Sequence, residues 1–345
     1  MRAPTAATLC VSLCLATAAI TAIAQGNGPR PISTQVNSLR LVSTSWAPFT
    51  NPPGQPRFAL DLVEAALGRM KRRAETMFVE PSGYTKSLLS GTFDGSAAVW
   101  RDAERERLFL FSQPYLENRL VLVGRLGADV SATALGALSG KRVAIVEGYS
   151  YGEGIELSGA TLVRSRSEED SLTLMLSGKT DYALMDELVV QYILDHHPTE
   201  AKTRLSLGSQ ALLTRPLHFA VKRDRPDAEA IMAAFNTQVR AMIVDRTYHR
   251  LLHVAWISAD VDGDGVAEFV PASDASGRAE PQRAYAIVTA PNTANPTTAT
   301  ESRKRFYVGG NIYADWASVP NRYKVDDPQR PDPSRSTASI FRFTW

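Results

Sequence analysis

The pattern of apolar and polar positions predicts that the first part of the chain is an α/β unit. Residues Leu39–Ser43 alternate in hydrophobicity and predict a strand, whereas Phe58–Met70 places its apolar residues at helical spacing. After this helix the pattern predicts a strand at Glu75–Val79, a helix at Tyr84–Ser90 and a strand at Gly95–Val99. Strands and helices therefore alternate, which is typical of an α/β fold.

A second α/β unit begins at the apolar run Lys141–Val146, which predicts a buried strand. A helix at Glu168–Ser177 and a strand at Tyr182–Met185 follow it. Pro216–Val221 predicts a strand that returns toward the first unit, and Asp224–Asp227 opens a long helix with one apolar face. Periodicity alone thus indicates two α/β blocks.

The first 24 residues have the composition of a secretory signal peptide. Arg2 is their single charge, an apolar run follows from Ala6 to Ile23, and Ala22-Ile23-Ala24 supplies a small-x-small cleavage site. Hydroxyl residues within the run favour a signal peptide over a membrane anchor, and no later stretch of sequence is long and apolar enough to span a bilayer. We therefore expect export, with cleavage after Ala24.

Cysteine content and charge restrict the chemistry of the exported chain. Cys10 and Cys14 both lie in the predicted signal peptide, so we expect no disulfide, no thiolate nucleophile and no cysteine-bound metal in the mature protein. The formal net charge falls from +2 to +1 when Arg2 is removed. A nearly neutral chain gives no case for a nucleic-acid partner.

The segment from Arg101 to Arg107, followed by Phe111-Ser112-Gln113-Pro114-Tyr115, carries the most informative pattern. It resembles the T-x-x-R-x-x-x-x-x-F-S-x-P-Y segment of family 3 extracellular solute-binding proteins, which are periplasmic receptors for polar amino acids. Weaker matches occur in the same order, so the resemblance runs from about Leu39 to Trp256. These further matches are Pro48-Phe49, Gly91–Asp94, Gly178–Asp181 with Asp186, and a closing helix at Tyr248–Trp256.

The resemblance implies an α/β, two-lobed fold of the type 2 periplasmic binding class, in which the chain crosses twice between the lobes at a hinge. On this interpretation the solute-binding domain is 36–258. Its first lobe comprises about 36–122 and 218–258, and its second lobe about 123–217. Residues 259–345 then form a small C-terminal extension.

The resemblance also implies a ligand-binding site. Arg105 falls on the arginine that holds the ligand carboxylate, and Asp186 on the aspartate that holds the ammonium group. Trp46 lies where family members place an aromatic ring over the ligand. Two structural alternatives remain open, because Arg105 is also placed to pair with Asp102 on a short helix, and Asp186 to cap the helix that starts at Glu187.

Asp102 is a departure from the family, which usually has a threonine at this position. A carboxylate here would partly neutralise Arg105 and repel an incoming carboxylate. Arg101 is therefore a second candidate for binding the anion, unless the ligand is cationic or is not an amino acid. Ser150 is a further candidate ligand contact, since in the resemblance Gly148 begins the loop whose hydroxyls bind the carboxylate.

Two enzyme hypotheses compete with the receptor. Gly148–Gly152 fits the G-x-S-x-G nucleophile-elbow pattern after a strand, and Asp186 and His218 complete the order of a serine hydrolase. The sequence lacks an upstream oxyanion segment of the His-Gly-Gly type, and short patterns of this kind arise often by chance. The second hypothesis is a dehydratase-like enzyme evolved within the same cleft. We expect a receptor, not an enzyme.

An acidic loop after Trp256 suggests a metal site. Carboxylates at positions 1, 3, 5 and 9, with glycine at position 6, suit a hard cation such as calcium. Position 12 is Pro271 where an EF-hand has glutamate, so the loop resembles the shorter D-x-D-x-D-G-x-x-E type. The predicted ligands of a structural Ca²⁺ are Asp260, Asp262, Asp264 and Glu268, and the alternative is an acidic turn without metal.

The C-terminal extension also contains a Pro/Thr/Asn-rich stretch at Ala290–Thr300 and many aromatic residues, which predict that it is folded or docked and not a solvated tail. These aromatic residues are Tyr307, Tyr313, Trp316, Tyr323, Phe341, Phe343 and Trp345. Taken together, the sequence predicts a monomeric periplasmic receptor for a small polar solute. Its receiver would be an ABC permease or a signalling sensor.

Overall fold

The computed structural model describes residues 38–149, 151–281, 284–287 and 304–326. The predicted signal peptide, Ser150, the stretch at Ala290–Thr300 and the aromatic residues from Phe341 onward lie outside the described residues. No helix in the described part of the chain is long and apolar enough to cross a membrane.

The first α/β block matches the predicted alternation. Strand β1 (Ser38–Ser43) pairs in parallel with β2 (Arg73–Phe78) and with β3 (Gly95–Trp100). Between them lie helices α1 (Phe58–Arg69) and α2 (Pro81–Leu89). The apolar stripe of α1 is buried as its spacing predicts; its buried members are Ala59, Leu60, Leu62, Val63, Ala66 and Leu67.

A short helix and three strands lead away from this block and back to it. Helix α3 (Ala103–Leu108) and strand β4 (Phe109–Phe111) are followed by the long strand β5 (Leu116–Arg125). The chain returns along a still longer strand, which spans Leu205–Lys222 and is β9 in chain order. This strand pairs antiparallel with β5 from Leu205 to Leu217, and with β3 and β4 near its end.

The second α/β block lies between these two long strands in the sequence. After a 3₁₀ turn at Leu135–Leu138, strand β6 pairs in parallel with both β7 and β8. The elements of this block are β6 (Arg142–Val146), α4 (Glu153–Glu156), β7 (Thr161–Ser165), α5 (Glu168–Leu176), β8 (Tyr182–Asp186), α6 (Glu187–His196) and α7 (Pro198–Arg204).

Strand β8 joins the second block to the long strands by pairing antiparallel with β5. The described strands of both blocks therefore form one sheet with the order β2-β1-β3-β9-β5-β8-β6-β7. Each parallel block has its own helices, and the two long strands connect the blocks. Strand β9 pairs with β3 of the first block, β5 pairs with β8 of the second, and β5 and β9 pair with each other. This arrangement is the two-lobed fold with two hinge crossovers that the resemblance implies.

The C-terminal part corrects one prediction. Helices α8 (Ala228–Val244) and α9 (Thr247–Leu252) return to the first block, but α9 does not continue to Trp256 as predicted. His253 adopts a left-handed backbone conformation (φ 54°) at its end. Trp256 instead begins a strand, because its ring packs with Phe306 and Trp316, at centroid distances of 6.2 and 6.1 Å.

A second sheet follows, with the strand order β12-β10-β11-β13-β14. Its strands are β10 (Trp256–Ala259), β11 (Glu268–Pro271), β12 (Tyr285–Ala286), β13 (Arg305–Val308) and β14 (Asn311–Tyr313). The prediction of a folded extension is confirmed for its described aromatic residues, since Tyr313, Trp316 and Tyr323 pack against a cluster centred on Trp256 and Phe306. Tyr285 also donates a hydrogen bond to the carbonyl of Glu117 in β5 (3.0 Å).

We expect Trp256→Ala to destabilise the protein by about 3 kcal/mol, because truncation of a buried tryptophan removes its packing and leaves a cavity. Urea denaturation followed by circular dichroism measures this change. Val266→Ala, at a side chain 45% exposed, serves as the control and should alter stability by less than about 0.5 kcal/mol. A Trp256→Ala change of that small size would contradict the packing assigned to the second sheet.

Candidate ligand-binding cleft

A cavity of about 50 Å³ lies where the two parallel blocks meet, at the carboxyl ends of β1 and β3 and the loop after β6. Open α/β sheets place their binding crevices outside the carboxyl ends of strands. Roughly 10–15 Å³ holds one water molecule by this measure, so the cavity has room for only a few. It is lined by Ser43, Thr44, Trp46, Thr50, Pro81, Tyr84, Ala98, Val99, Trp100, Arg105, Gly148, Tyr149 and Leu217.

Three aromatic rings dominate this cavity, and we call Trp46, Trp100 and Tyr149 the aromatic cluster. Trp46 follows β1, Trp100 ends β3 and Tyr149 follows β6, so the cluster joins the two blocks. The ring centroids lie 5.3 to 5.9 Å apart in edge-to-face pairs. Such contacts stabilise the approach of the blocks and present electron-rich ring faces at the cleft.

Trp100 is held in place by polar contacts on its other side. Its indole Nε1 donates to Asn118 Oδ1 (2.8 Å), and the Arg215 guanidinium lies over its ring at 5.6 Å. These contacts fix the wall of the cavity. Trp100 is therefore a buried residue that also lines the cavity.

Arg105 lines the cavity, but the protein itself holds its guanidinium. Its Nη1 donates to the carbonyl of Trp100 and forms an ion pair with Asp102, both at 3.0 Å, and its Nη2 donates to Thr85 Oγ1 (3.1 Å). Nε is buried and has no hydrogen-bond partner among the described residues. The predicted anion-binding residue is therefore at the cleft, with most of its donors already used.

Asp102 is both a helix cap and the partner of Arg105. Its Oδ1 accepts a hydrogen bond from the backbone N–H of Arg105 (2.9 Å) at the start of α3, while Oδ2 makes the ion pair. Arg101 does not reach the cavity wall: its side chain is 56% exposed and pairs with Glu106.

Asp186 is buried and caps α6. Its Oδ1 accepts from the backbone N–H of Leu188 (2.7 Å) and its Oδ2 from Asn118 Nδ2 (3.0 Å). Burial raises its pKa to about 7, although both hydrogen bonds oppose the rise. It is not among the residues that line the cavity, and Asn118 connects it to Trp100.

The geometry does not favour the serine-hydrolase alternative. Asp186 makes its hydrogen bonds with Asn118 and Leu188, whereas His218 Nδ1 bonds to the carbonyl of Ser112 (2.8 Å) beside the ring of Phe111. The acid and the imidazole are thus committed to different partners. Ser150 lies outside the described residues.

Glu168 is a buried acid that the sequence did not single out. It is the first residue of α5 and only 5% exposed, and its Oε2 has no hydrogen-bond partner in the described part of the chain. Burial, followed by the negative charges of Asp186 and Glu169, raises its pKa to about 8. The indole N–H of Trp46 acts on Glu168 and opposes this rise. Trp46 Nε1, like Glu168 Oε2, is buried without a hydrogen-bond partner among the described residues.

A second cavity, of about 290 Å³, has Glu168 in its wall. Trp46, Pro81 and Tyr149 line both cavities, so the two spaces are neighbours across these side chains. The remaining lining is polar to a large extent and consists of Ser45, Ala47, Asn51, Gln55, Arg166, Ser167, Glu168 and Glu169.

The acidic loop between β10 and β11 lines neither of these cavities, and its carboxylates pair with an arginine of the protein. The carboxylates of Asp260, Asp262 and Glu268 approach within 4.8 Å of one another, as a metal site requires. Arg305 of β13, however, pairs with Asp264 (2.6 Å), with the fully buried Glu268 (2.9 Å) and more distantly with Asp262 (3.5 Å). The guanidinium thus neutralises carboxylates predicted to bind calcium, and calcium binding stays a prediction.

Two α/β blocks joined by two long antiparallel strands, with a cavity between them, define a two-lobed binding protein of the type 2 periplasmic class. The chain belongs to the bacterial extracellular solute-binding proteins, family 3, whose family model matches residues 41–258. No curated protein has a significant match to the chain.

Solved structures of low sequence identity share the fold. The ligand-binding core of GluR0 with L-glutamate is 17% identical, has a TM-score of 0.55, and the match covers 63% of this chain and 99% of that one. A mutant of ArgBP from T. maritima is 21% identical, with a TM-score of 0.52 and coverage of 63% and 94%. The amino acid ABC transporter substrate-binding protein AbpA from Streptococcus pneumoniae, bound to L-arginine, is 18% identical, with a TM-score of 0.51 and coverage of 63% and 93%.

We expect Glu168 to make the unliganded protein less stable as the pH rises from about 4.5 to about 8. In the folded state its pKa lies above its ordinary value of 4.5. Between the two pKa values the folded state holds a proton that the unfolded state has released, so the free energy of unfolding falls as the pH rises through this range. Each pKa unit corresponds to about 1.4 kcal/mol, so the total effect is on the order of a few kcal/mol.

The measurement is the difference in the free energy of unfolding between wild type and Glu168→Gln at pH 5 and pH 8. Other groups also change the stability over this pH range. Burial lowers the pKa of His249 to about 4, so its contribution favours folding as the pH rises. This contribution is the same in both proteins and cancels in their difference. The variant should gain stability relative to wild type at pH 8. An unchanged difference across this range would contradict the buried position of Glu168.

We expect Arg305→Ala to lower the Tm in EDTA by a few degrees, because it leaves the buried Glu268 carboxylate without a cation. If the predicted calcium ion binds here, added Ca²⁺ should raise the Tm of the variant more than that of wild type. Differential scanning fluorimetry with Ca²⁺ and with Mg²⁺ measures both effects. An equal Tm in all conditions would refute both the role of Arg305 and the calcium prediction.

Proposed function

We propose that this protein is a secreted, periplasmic receptor that captures a small polar solute, an amino acid or a related compound, in the cleft between its lobes. The observation that supports this most is the position of the aromatic-lined cavity, where the strand ends of both blocks meet. Family membership supports solute binding and an extracellular location. Two of the solved structures described above add glutamate and arginine as precedents for the ligand class.

The mechanism that we propose is closure of the two lobes about β5 and β9. These strands alone connect the blocks within the large sheet as described, so a change in their twist would open the cleft while each block keeps its own hydrogen bonds. A solute that enters would displace the mutual contacts of the aromatic cluster and replace them with its own. Binding would then proceed without turnover.

We further propose that the closed, loaded receptor is recognised by an ABC-type permease or by a signalling sensor. A precedent for the permease is the Streptococcus pneumoniae protein that shares the fold. The receptor would act as a monomer toward either receiver. A bacterial uptake assay with the intact gene and with the gene deleted separates transport from signalling.

We expect the mature chain to bind its solute saturably and to release it unchanged, which a thermal-shift screen of amino acids, polyamines and small carboxylates detects, followed by calorimetry. A solute at 100 times its Kd should stabilise the protein by about 2.7 kcal/mol. Trp46→Ala should weaken binding at least about 10-fold, because Trp46 lines both cavities.

Trp316→Ala is the matched control, since Trp316 belongs to the cluster of the second sheet and lines neither cavity. Its affinity should equal that of wild type. Mass spectrometry shows whether the bound solute is chemically converted. Conversion would contradict the receptor proposal and favour an enzyme. Equal affinities of both tryptophan variants would place the binding site elsewhere.

A further inference from the structure

Among the buried carboxylates of the described residues, Glu168 is the one that lies in the wall of the cavity of about 290 Å³. Glu117, which lines neither cavity, pairs with Arg119 at 3.6 Å. Glu268, equally buried, has the Arg305 guanidinium at 2.9 Å. Asp186 accepts hydrogen bonds from Asn118 and Leu188 at both of its oxygens. Glu168 Oε2 is buried without a hydrogen-bond partner among the described residues. A buried carboxyl oxygen without a hydrogen-bond or ion-pair partner costs free energy, and a ligand that supplies this partner removes the cost.

The charges around Glu168 make a cation the fitting partner. Asp186 and Glu169 are the ionisable groups that act on it most, and both are acidic. One guanidinium lines the same cavity, that of Arg166, but it pairs with Asp170 (2.7 Å) and its side chain is 88% exposed. Because Glu169 lines the same wall and Glu168 ionises when a cation pairs with it, the wall favours a cation over an anion.

The aromatic cluster extends the same preference. Trp46 and Tyr149 form part of the wall in which Glu168 lies, and a cation next to a tryptophan or tyrosine ring is attracted by the electrons of its face. The volume of about 290 Å³ and the polar side chains of Asn51 and Gln55 suit an organic cation with further hydrogen-bonding groups. Arg105 has both of its Nη atoms engaged by the protein and only its buried Nε without a hydrogen-bond partner among the described residues, so a ligand carboxylate would compete with Asp102 for the guanidinium.

We propose that the solute of this receptor is an organic cation and that Glu168 pairs with its ammonium or guanidinium group beside the Trp46 ring. This assignment rests on the proposed function and specifies its ligand class. It moves the cation-binding role from Asp186, which is occupied as a helix cap, to the first residue of α5. Binding of the cation requires the ionised form of Glu168, so a proton leaves the carboxyl group for solvent as the cation binds.

The experiment is isothermal titration calorimetry of the mature chain with two groups of probes. The cationic probes are agmatine, putrescine, L-arginine and L-lysine, and the comparison probes are L-glutamate and L-glutamine. At least one cationic probe should bind, and the comparison probes should bind at least about 10-fold more weakly. Among the cations, L-arginine and agmatine differ by one carboxylate, so their ratio reports whether Arg105 contributes to binding.

Glu168→Gln should weaken binding of the cationic probe by about 10- to 100-fold, since it keeps the shape of the side chain and removes its charge. Glu153→Gln makes the same change of charge at an exposed residue of α4 and should leave the affinity unchanged. Titrations at pH 7 in buffers of different ionisation enthalpy should show proton release for wild type and not for Glu168→Gln. A structural role of Glu168 alone would not produce that difference.

Each other outcome overturns a defined part of the proposal. Tight binding of a comparison probe without binding of any cation would leave the receptor function intact and refute the cationic ligand class. Binding of cations that persists in Glu168→Gln would refute the assignment to Glu168. Binding of none of the probes, with no hit in the wider screen, would refute the proposed function and this inference together.

Discussion

Strands β5 and β9 run side by side from the pair Leu116–Leu217 to the pair Arg125–Leu205, and the other strands of the large sheet attach to them. One parallel block joins through β3 and the other through β8. The cavity exists because this antiparallel ladder holds the carboxyl ends of β1 and β3 opposite the loop after β6. Loss of the pairing would separate Trp46 and Trp100 from Tyr149, and with them the walls of the cleft.

Burial of charge is the second constraint, and the molecule satisfies it unevenly. Arg105, Asp186 and Glu268 are each buried and each has partners from the protein itself. Because these interactions are internal, they stabilise the fold whether or not a solute is present. Arg105 Nε and Glu168 Oε2, in contrast, are buried without a hydrogen-bond partner among the described residues, and both residues line a cavity.

Local patterns predicted the elements whose stabilising contacts are local. Helix α1 was predicted because its apolar residues repeat at helical spacing, and strand β6 because it is a short, continuous apolar run. The first half of β9 was not predicted, because its residues alternate irregularly and its partners on β5 lie about 80 to 100 positions earlier in the sequence. The predicted continuation of α9 to Trp256 was wrong for the same reason, since Phe306 and Trp316 decide where that ring packs.

The candidate site was predictable only where a residue has a recognisable neighbourhood in the sequence. Trp46 and Arg105 were found by motif and do line the cavity, whereas Arg101 and Asp186 do not reach its wall. Glu168 was missed because Ser167-Glu168-Glu169-Asp170 has the sequence of an ordinary acidic first turn, which is usually solvated. Of these three acids only Glu168 is buried. Trp46 and Tyr149, which share its cavity wall, are distant from it in the sequence.

Asp102 has a consequence for how this chain can change over generations. The same carboxylate caps α3 and neutralises Arg105, so replacement of the aspartate alone would leave both a helix end and a buried guanidinium without their partner. Replacement of Arg105 alone would leave Asp102 able to cap α3 but without the cation that now neutralises its charge. Selection therefore acts on the two positions together, and descendants of this protein should inherit or lose them as a pair.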